Sequence, residues 1–292
     1  MHVVRTGPLA LVQDRGRPGL ADVGVSGSGA ADRAAYELGR RLVGNAGGAA
    51  ALEVLLGGLA LRALADGLVV ITGADAGATV DGRAVGHAAP VRLRAGSLLE
   101  LVAPVSGLRT YVSVRGGFEV PTVLGSRSRD VLSGIGPPPL SVGDALPVGF
   151  AEPGRLPSID AVAPPRAAPK GSPVVLTVLP GPRTDWLRDP GDIVAAGWTV
   201  SSDSNRVGVR LDGPAVPRAA HHDGEELPSE GMVRGAVQLP PSGTPVLFGP
   251  DHPVTGGYPV VAVLTDAACD LSAQLRPGEP VRLRWTRRAG GR

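Results

Sequence analysis

Apolar residues in this chain come in short runs cut by glycine and proline. Leu68-Val-Val-Ile-Thr72 and Thr110-Tyr-Val-Ser-Val114 are strand-length runs closed by glycine-rich turns, and Pro173-Val-Val-Leu-Thr-Val-Leu179 and Pro259-Val-Val-Ala-Val-Leu264 repeat the form later on. Val281, Leu283 and Trp285 alternate with Arg282 and Arg284, the period of a half-buried strand. Helical spacing is confined to two places. Ala31, Ala35, Leu38 and Leu42 share one face, with Arg33, Glu37 and Arg41 on another. Ser28 is the expected cap, Glu37–Arg41 an i,i+4 pair, and Gly44-Asn45 the stop. The second helix is expected over Asp266–Leu275, with Ala268, Leu271 and Leu275 inward and Pro277-Gly278 ending it. The pattern predicts a mainly β protein with a few short helices.

Glu152–Pro173 holds six prolines in 22 residues and continues neither a sheet nor a helix. It reads as a linker over 152–173 between domains at 1–151 and 174–292; a long surface loop within one domain is the alternative. Leu93-Arg-Ala-Gly-Ser-Leu-Leu-Glu-Leu101 resembles Leu275-Arg-Pro-Gly-Glu-Pro-Val-Arg-Leu283, and Ser141-Val-Gly-Asp144 repeats the turn. Either the two halves are related β-barrels, or any turn leading into a strand reads this way.

Composition narrows the function. The chain has 292 residues, with 43 Gly and 29 Pro, enough for one large or two ordinary domains. Of 29 basic residues, only Lys170 is lysine, and it sits in the proline-rich stretch. That argues against a P-loop, Schiff-base chemistry and a biotin attachment site. A net charge of +2 without a basic block argues against nucleic acid. Cys269 is the one cysteine, so no disulfide forms within the chain, and its apolar neighbours suggest a buried thiol. The N-terminus lacks a basic-then-apolar leader and no apolar run reaches membrane-spanning length. A soluble cytoplasmic protein that touches no membrane is expected.

Four segments are dense in polar residues and glycine. Val12-Gln-Asp-Arg-Gly-Arg-Pro-Gly19, followed by Gly27-Ser-Gly-Ala-Ala-Asp32, places Gln13, Asp14 and Arg17 near a helix start, as an anion cradle or as an ordinary capped turn. In Ser204-Asn-Arg-Val-Gly-Val-Arg-Leu-Asp-Gly213, a strand would put Arg206, Gly208 and Arg210 on one face. Two guanidinium forks about a glycine leave room for a planar anion, with Asn205 adding an amide; on spacing alone a solvated outer face accounts for them better. Ser229-Glu-Gly231 offers Glu230 as an acid/base group, and Gln238, between Val237 and Leu239, faces away from the core. Asp251-His-Pro-Val-Thr-Gly-Gly-Tyr-Pro259 offers Gly256, Gly257 and Tyr258, or simply a hairpin turn. His221-His222-Asp223 has no third ligand at useful spacing, so no metal is expected and an exposed loop is the reading.

In this order the segments resemble the carboxyltransferase family of allophanate hydrolase subunit 2, which includes the C subunit of 5-oxoprolinase, the KipA antagonist of a sporulation-kinase inhibitor and a region of urea carboxylase. The resemblance is carried by Gln13-Asp-Arg-Gly-Arg-Pro-Gly19, Ser28-Gly29 with Asp32, Leu42-Val-Gly-Asn45, Leu52-Glu53, Val114-Arg-Gly-Gly117 and Leu124-Gly-Ser-Arg-Ser128. It continues through Ser204-Asn-Arg206, Ser229-Glu-Gly231, Gln238-Leu-Pro240, Thr255-Gly-Gly-Tyr-Pro259 and Ala273-Gln-Leu-Arg-Pro-Gly278. It implies two cyclophilin-like β-barrels. It also implies a hetero-oligomer with a subunit 1 (KipI-like) partner and a LamB/YcsF-type third subunit, cleaving 5-oxoproline with ATP used by the complex. Any biotin arrives on another protein. The chain alone is expected to be inactive. The resemblance implies a small amide substrate: Arg206 and Arg210 hold its anionic group, Asn205 and Gln238 orient the amide, Glu230 moves a proton, and Tyr258 with Gly256-Gly257 closes the site. The alternatives are a KipA-like protein that sequesters its partner, and carboxyl transfer from carboxybiotin to urea. Pro253 and Val254 stand where the family usually has Gln and Thr, Val207 where Met is common, and Arg129 where Thr is common. The first pair removes two polar groups and weakens the urea reading.

Overall fold

A computed structural model describes residues 1–151, 156, 171–222 and 224–286. Nearly all of the expected 152–173 linker lies outside the described residues. The chain divides into two compact units, Met1–Gly19 with Gly27–Ala167, and Leu20–Ser26 with Ala168–Arg292.

The first unit contains β1 (His2–Thr6), β2 (Leu9–Gln13), α1 (Arg33–Leu42), β3 (Ala51–Leu55), β4 (Leu59–Arg62), β5 (Gly67–Gly73), β6 (Thr79–Val80), β7 (Arg83–Ala84), β8 (Val91–Leu93), β9 (Leu98–Glu100) and β10 (Arg109–Val114). These strands form two five-stranded sheets, ordered β1-β4-β9-β6-β7 and β2-β3-β10-β5-β8. Val3, Leu61 and Leu99 of one sheet and Val12, Leu52, Ile71 and Val112 of the other share one core. Helix α1 packs on β5 and β10. Those strands are therefore covered on both faces, and every residue of β10 is buried. Gly39 permits the close approach, since a Cβ there would lie 2.6 Å from Ser113 Oγ. The start of α1 is fixed by buried polar groups. Asp32, not Ser28, is the cap, accepting from Ala35 N at 2.9 Å. Asp32 N donates to Tyr111 Oη, and the Tyr111 hydroxyl donates to Glu53 Oε2, both at 2.8 Å. Burial, with the nearby Glu53 and Asp32 charges, holds the Tyr111 phenol well above its ordinary range. On the outer face Glu37 pairs with Arg15 and Arg40, whereas the sequence suggested Arg41.

The second unit contains β11 (Val174–Pro180), α2 (Asp192–Ala195), β12 (Trp198–Val200), β13 (Gly208–Asp212), β14 (Glu230–Gly231), β15 (Ala236–Gln238), β16 (Val246–Phe248), β17 (Thr255–Gly256), β18 (Val260–Leu264), α3 (Asp266–Ser272) and β19 (Pro280–Trp285). Seven of its strands close a barrel in the order β11-β18-β15-β16-β13-β12-β19. The pairing of β11 with β19 is parallel, Val174 opposite Val281 through Val178 opposite Trp285. Val281 and Leu283 point into the core while Arg282 and Arg284 are exposed, as the alternation predicted. Helix α3 buries Ala268 and Cys269, but Leu271 is 49% exposed; the helix stops at Ser272, before the expected inward face is complete.

The mainly β architecture is as expected, with the closed barrel in the second unit and two sheets in the first. The repeated sequence fragment is one turn used three times. Ser97 N donates to Arg94 O, Asp144 N to Ser141 O and Glu279 N to Arg276 O, each at 3.0–3.1 Å. The glycine before each donor has φ between +84° and +97°. Each glycine N–H also reaches a neighbouring strand or its end, at Ala63, Val3 and Val200 respectively.

Candidate functional site

The third and fourth polar segments meet. Strand β14 pairs antiparallel with β17, setting Glu230 opposite Gly256. A Cβ at Gly256 would lie 2.8 Å from Gln238 Nε2 and 3.1 Å from Met232 Cε, so glycine lets this ribbon lie directly on the Gln238 amide. Gln238 sits at a register shift at the end of β15, and Val237 and Leu239 beside it are fully buried. Its Nε2 donates to Tyr258 O at 3.2 Å, and the Tyr258 side chain is about half exposed. Glu230, Gln238, Gly256 and Tyr258 therefore belong to one neighbourhood, and Gly257 follows with its Cβ direction 3.4 Å from Leu227 O.

Arg183 completes this group and had no counterpart among the expectations. Its Nε donates to Glu230 Oε1 at 3.0 Å and its Nη2 to the same oxygen. Both bonds fall on Oε1 and neither on Oε2. The bond to Glu230 holds the Arg183 guanidinium above its ordinary value, and the charges of Glu230, Asp185 and Glu225 act in the same direction. Arg183 is fixed at its backbone as well, its N–H donating to Val260 O at 3.0 Å.

The expected cradle of two arginines is not what the second segment forms. Arg206 lies in a bend before β13, is 3% exposed, and makes a fork to Asp251, Nε to Oδ2 at 2.8 Å and Nη2 to Oδ1 at 3.0 Å. Asp251 is itself fully buried. Arg210 is within β13 and exposed. One guanidinium is thus neutralised inside the fold and the other faces outward, because strand alternation begins only at Gly208. Asn205 Oδ1 accepts from Val207 N at 2.8 Å, closing a local turn. Gly208 admits the partner strand, since a Cβ would stand 3.0 Å from Val246 Cγ1.

The first segment is equally committed to structure. Asp14 Oδ1 accepts from Gly16 N, Ser126 Oγ and Ser128 Oγ, and Oδ2 from Arg127 N, all at 2.6–2.7 Å. Arg17 bonds to Val123 O and Ser128 O and is 2% exposed. Gln13 Nε2 donates to Arg129 O at 2.8 Å, while its buried Oε1 has no hydrogen-bond partner among the described residues. These residues bind the 123–130 loop to the strand end at Gln13, and the three are 5% exposed or less.

His222 departs most from the sequence reading. Its ring stacks on Trp186 at 4.2 Å and 9°, with Nδ1 on the Glu225 carboxylate and Nε2 3.6 Å from Asp185. The Arg218 guanidinium lies 5.6 Å from the Trp186 ring centre. Asp223 lies outside the described residues. Among the described residues, no three His, Cys, Asp or Glu side chains are grouped to hold a metal ion, and no helix is long and apolar enough to cross a membrane. Cys269 is buried.

Residues 23–285 match the family model described as carboxyltransferase domain, subdomain A and B. The chain is 36% identical to the C subunit of 5-oxoprolinase from Escherichia coli K12, covering 96% of this chain and 89% of that protein. It is 30% identical to urea amidolyase of Saccharomyces cerevisiae over 96% of this chain but only 16% of that one. The crystal structure of TTHA0988 superposes with a TM-score of 0.86 at 32% identity, covering 97% of this chain and 55% of the other. The urea carboxylase of Kluyveromyces lactis superposes with a TM-score of 0.84 at 29% identity, covering 96% and 27%. The chain thus spans about half the length of TTHA0988 and a smaller part of the urea enzymes.

Proposed function

We propose, on the premise that this chain belongs to the carboxyltransferase family built of subdomains A and B, that it serves as the C-type subunit of a 5-oxoprolinase complex. The observation that carries this reading is the near end-to-end match with the bacterial C subunit of that enzyme, against a match to only 16% of the yeast urea amidolyase. In this reading the complex opens 5-oxoproline to glutamate with ATP. A subunit 1 (KipI-like) protein and a LamB/YcsF-type protein are its other members, all in the cytoplasm, and this chain is inactive alone.

The neighbourhood of Glu230 is the site we assign to the cyclic amide. Glu230 Oε2, which takes neither Arg183 bond, is the oxygen to accept the amide N–H. Gln238 and the Tyr258 hydroxyl orient the ring, and Gly256-Gly257 lets backbone come close. Arg206 positions the 249–258 loop through Asp251 rather than touching substrate. Arg183 is taken up by Glu230 in this group, so its guanidinium is not offered to a triphosphate. No step through ATP is therefore placed on these residues, and biotin, if used, comes on another protein.

The test is to co-purify the three proteins and measure ATP-dependent glutamate release from 5-oxoproline. Glu230→Gln and Tyr258→Phe complexes should assemble normally; Glu230→Gln should lose at least about a hundredfold in rate, the low end of a general acid–base contribution, and Tyr258→Phe should be slower than the parent. An assembled wild-type complex that releases no glutamate would reject the function. Unchanged rates in both variants would reject the site.

A further inference from the structure

We infer that the hairpin tip at Leu124-Gly125 is a docking knob, and that its occupant is an apolar pocket with an acidic rim on a partner protein. Val123 N donates to Ser126 O at 2.8 Å and Ser126 N to Val123 O at 3.2 Å, so two residues alone make the turn. Leu124 has φ +52° and Gly125 φ +78°. Both central residues are left-handed, the geometry of a type I′ turn, in which Asn-Gly is the favoured pair. Leucine here brings its Cβ close to the following carbonyl oxygen, a strain that asparagine tolerates better.

Nothing within the unit offsets that strain. Leu124 is 53% exposed and belongs to none of the unit's apolar clusters. The space off the tip is open, since a Cβ at Gly125 would meet no atom within 4 Å. The base of the hairpin, by contrast, is fixed. Asp14 accepts from Ser126 Oγ, Ser128 Oγ and Arg127 N, and Arg17 donates to Val123 O and Ser128 O. An apolar side chain held outward on a rigid mount has little freedom left to lose when a partner covers it, and the strain is then offset by burial.

The next loop extends the surface. Gly136 returns to the hairpin base, its Cβ direction 2.1 Å from Ser128 O, and Val131 and Leu132 before it are exposed, as Val123 is. Asp130 Oδ1 holds that loop by accepting from Leu132 N and Ser133 N. Four half-exposed aliphatic side chains offer far less than the roughly 800 Å² per partner that a stable dimer buries. A second copy would also have to meet this convex tip with the same convex tip. The occupant is therefore a different, concave surface, and the knob is one anchor within a larger contact. Charge defines the rim. Arg127 pairs with Glu119. Arg129 donates only to the carbonyls of Gly134 and Gly136, and its Nε has no hydrogen-bond partner among the described residues. Its positive charge, between the two apolar loops in sequence, complements a carboxylate at the pocket's edge. That the pocket belongs to the subunit 1 (KipI-like) protein rests on the function proposed above.

The experiment mixes the full chain with that protein and reads the dissociation constant by titration calorimetry, beside the melting midpoint of each chain alone. Leu124→Asn suits the turn, so alone it should melt about 2–4 °C above the parent. It should nevertheless bind at least about tenfold more weakly. A loss of fold cannot produce that opposition. Leu124→Gly keeps the turn without the side chain and should show the same weaker binding. Arg129→Gln should weaken binding a few-fold and flatten its dependence on salt. Val105→Asn, at a fully exposed apolar position elsewhere on the unit, should bind as the parent does. A Leu124→Asn chain that binds within about twofold of the parent, or that melts lower alone, overturns the inference, as does an equal loss in Val105→Asn. A dimer of the parent chain that Leu124→Asn abolishes overturns the choice of occupant. A parent chain that does not bind the subunit 1 (KipI-like) protein rejects the complex proposed above and the named occupant with it. A complex that assembles unimpaired with Leu124→Asn rejects the knob alone.

Discussion

Removing the Arg206 guanidinium offers a clean separation between a strut and a ligand-binding group. Arg206→Met keeps the apolar stem and volume but leaves the Asp251 carboxylate, which is fully buried, without the two bonds at 2.8 and 3.0 Å. Breaking a buried pair from one side costs about 3–5 kcal/mol, because the remaining charge stays out of water. For a unit of this size that lowers the melting midpoint by roughly 10 °C or more. The double variant Arg206→Met/Asp251→Leu removes both charges and should recover most of the loss, with a coupling of at least about 2 kcal/mol. The assay is thermal and urea unfolding of the four proteins of the cycle, followed by circular dichroism, beside the rate of the reconstituted complex. If Arg206→Met melts within about 1 kcal/mol of the parent while the complex loses activity, the guanidinium works on the ligand and the strut account is wrong.

Other substitutions probe the scaffold. Asp32→Ala removes the α1 cap and should cost about 1–2 kcal/mol in urea unfolding, where a loss below a few tenths would mean the Glu53–Tyr111 network alone sets the helix start. Gly16→Ala should abolish recovery of folded protein, since φ is +83° and the new Cβ would stand 2.2 Å from Gly27 O; a normal melt would show that the two loops can part. Burial pushes the Glu37 carboxyl up, but its bonds to Arg15 and Arg40 outweigh this and hold it below its ordinary value. Its stabilising share is therefore full above about pH 4.3 and is lost as pH falls through the lower folded value, and Glu37→Gln should remove that acid step, worth under about 1 kcal/mol given the exposure of Arg15. Cys269, 4% exposed, should react with an aromatic disulfide reagent only as fast as the unit opens; rapid labelling of native protein would contradict its burial.

Local pattern was the readable part of this chain. The alternation at Val281–Trp285, the runs that became β5, β10, β11 and β18, and the thrice-used glycine turn each depend on a few adjacent residues. The errors arose where a period was extended too far. Leu271 keeps helical spacing with Leu275, but α3 ends at Ser272. Arg206 keeps a spacing of two with Gly208 and Arg210 beyond it, but the strand starts after it, and a fork to Asp251 then turns it inward. At the third and fourth segments the Gly256-Gly257 pair was readable as a place of close approach, to a ligand or to another strand, and the structure shows the approach to be to β14 and the Gln238 amide; which residues gather there was given by the family resemblance and not by local pattern. Arg183 was invisible because its partner lies 47 positions away and nothing local announces the bond. His222 was misjudged for a related reason, since its burial comes from Trp186 and not from its own neighbours.

The parallel seam between β11 and β19 has a consequence for biosynthesis. Val174 waits for Val281, so more than a hundred residues must leave the ribosome before the first strand of the ring finds its second neighbour. Until residues 280–285 emerge, β11 and β12 each keep one side of their backbone unpaired. A nascent chain stalled before Pro280 should therefore be a client for chaperones, while the two sheets of the first unit, whose strand partners are all made by residue 114, can already be complete.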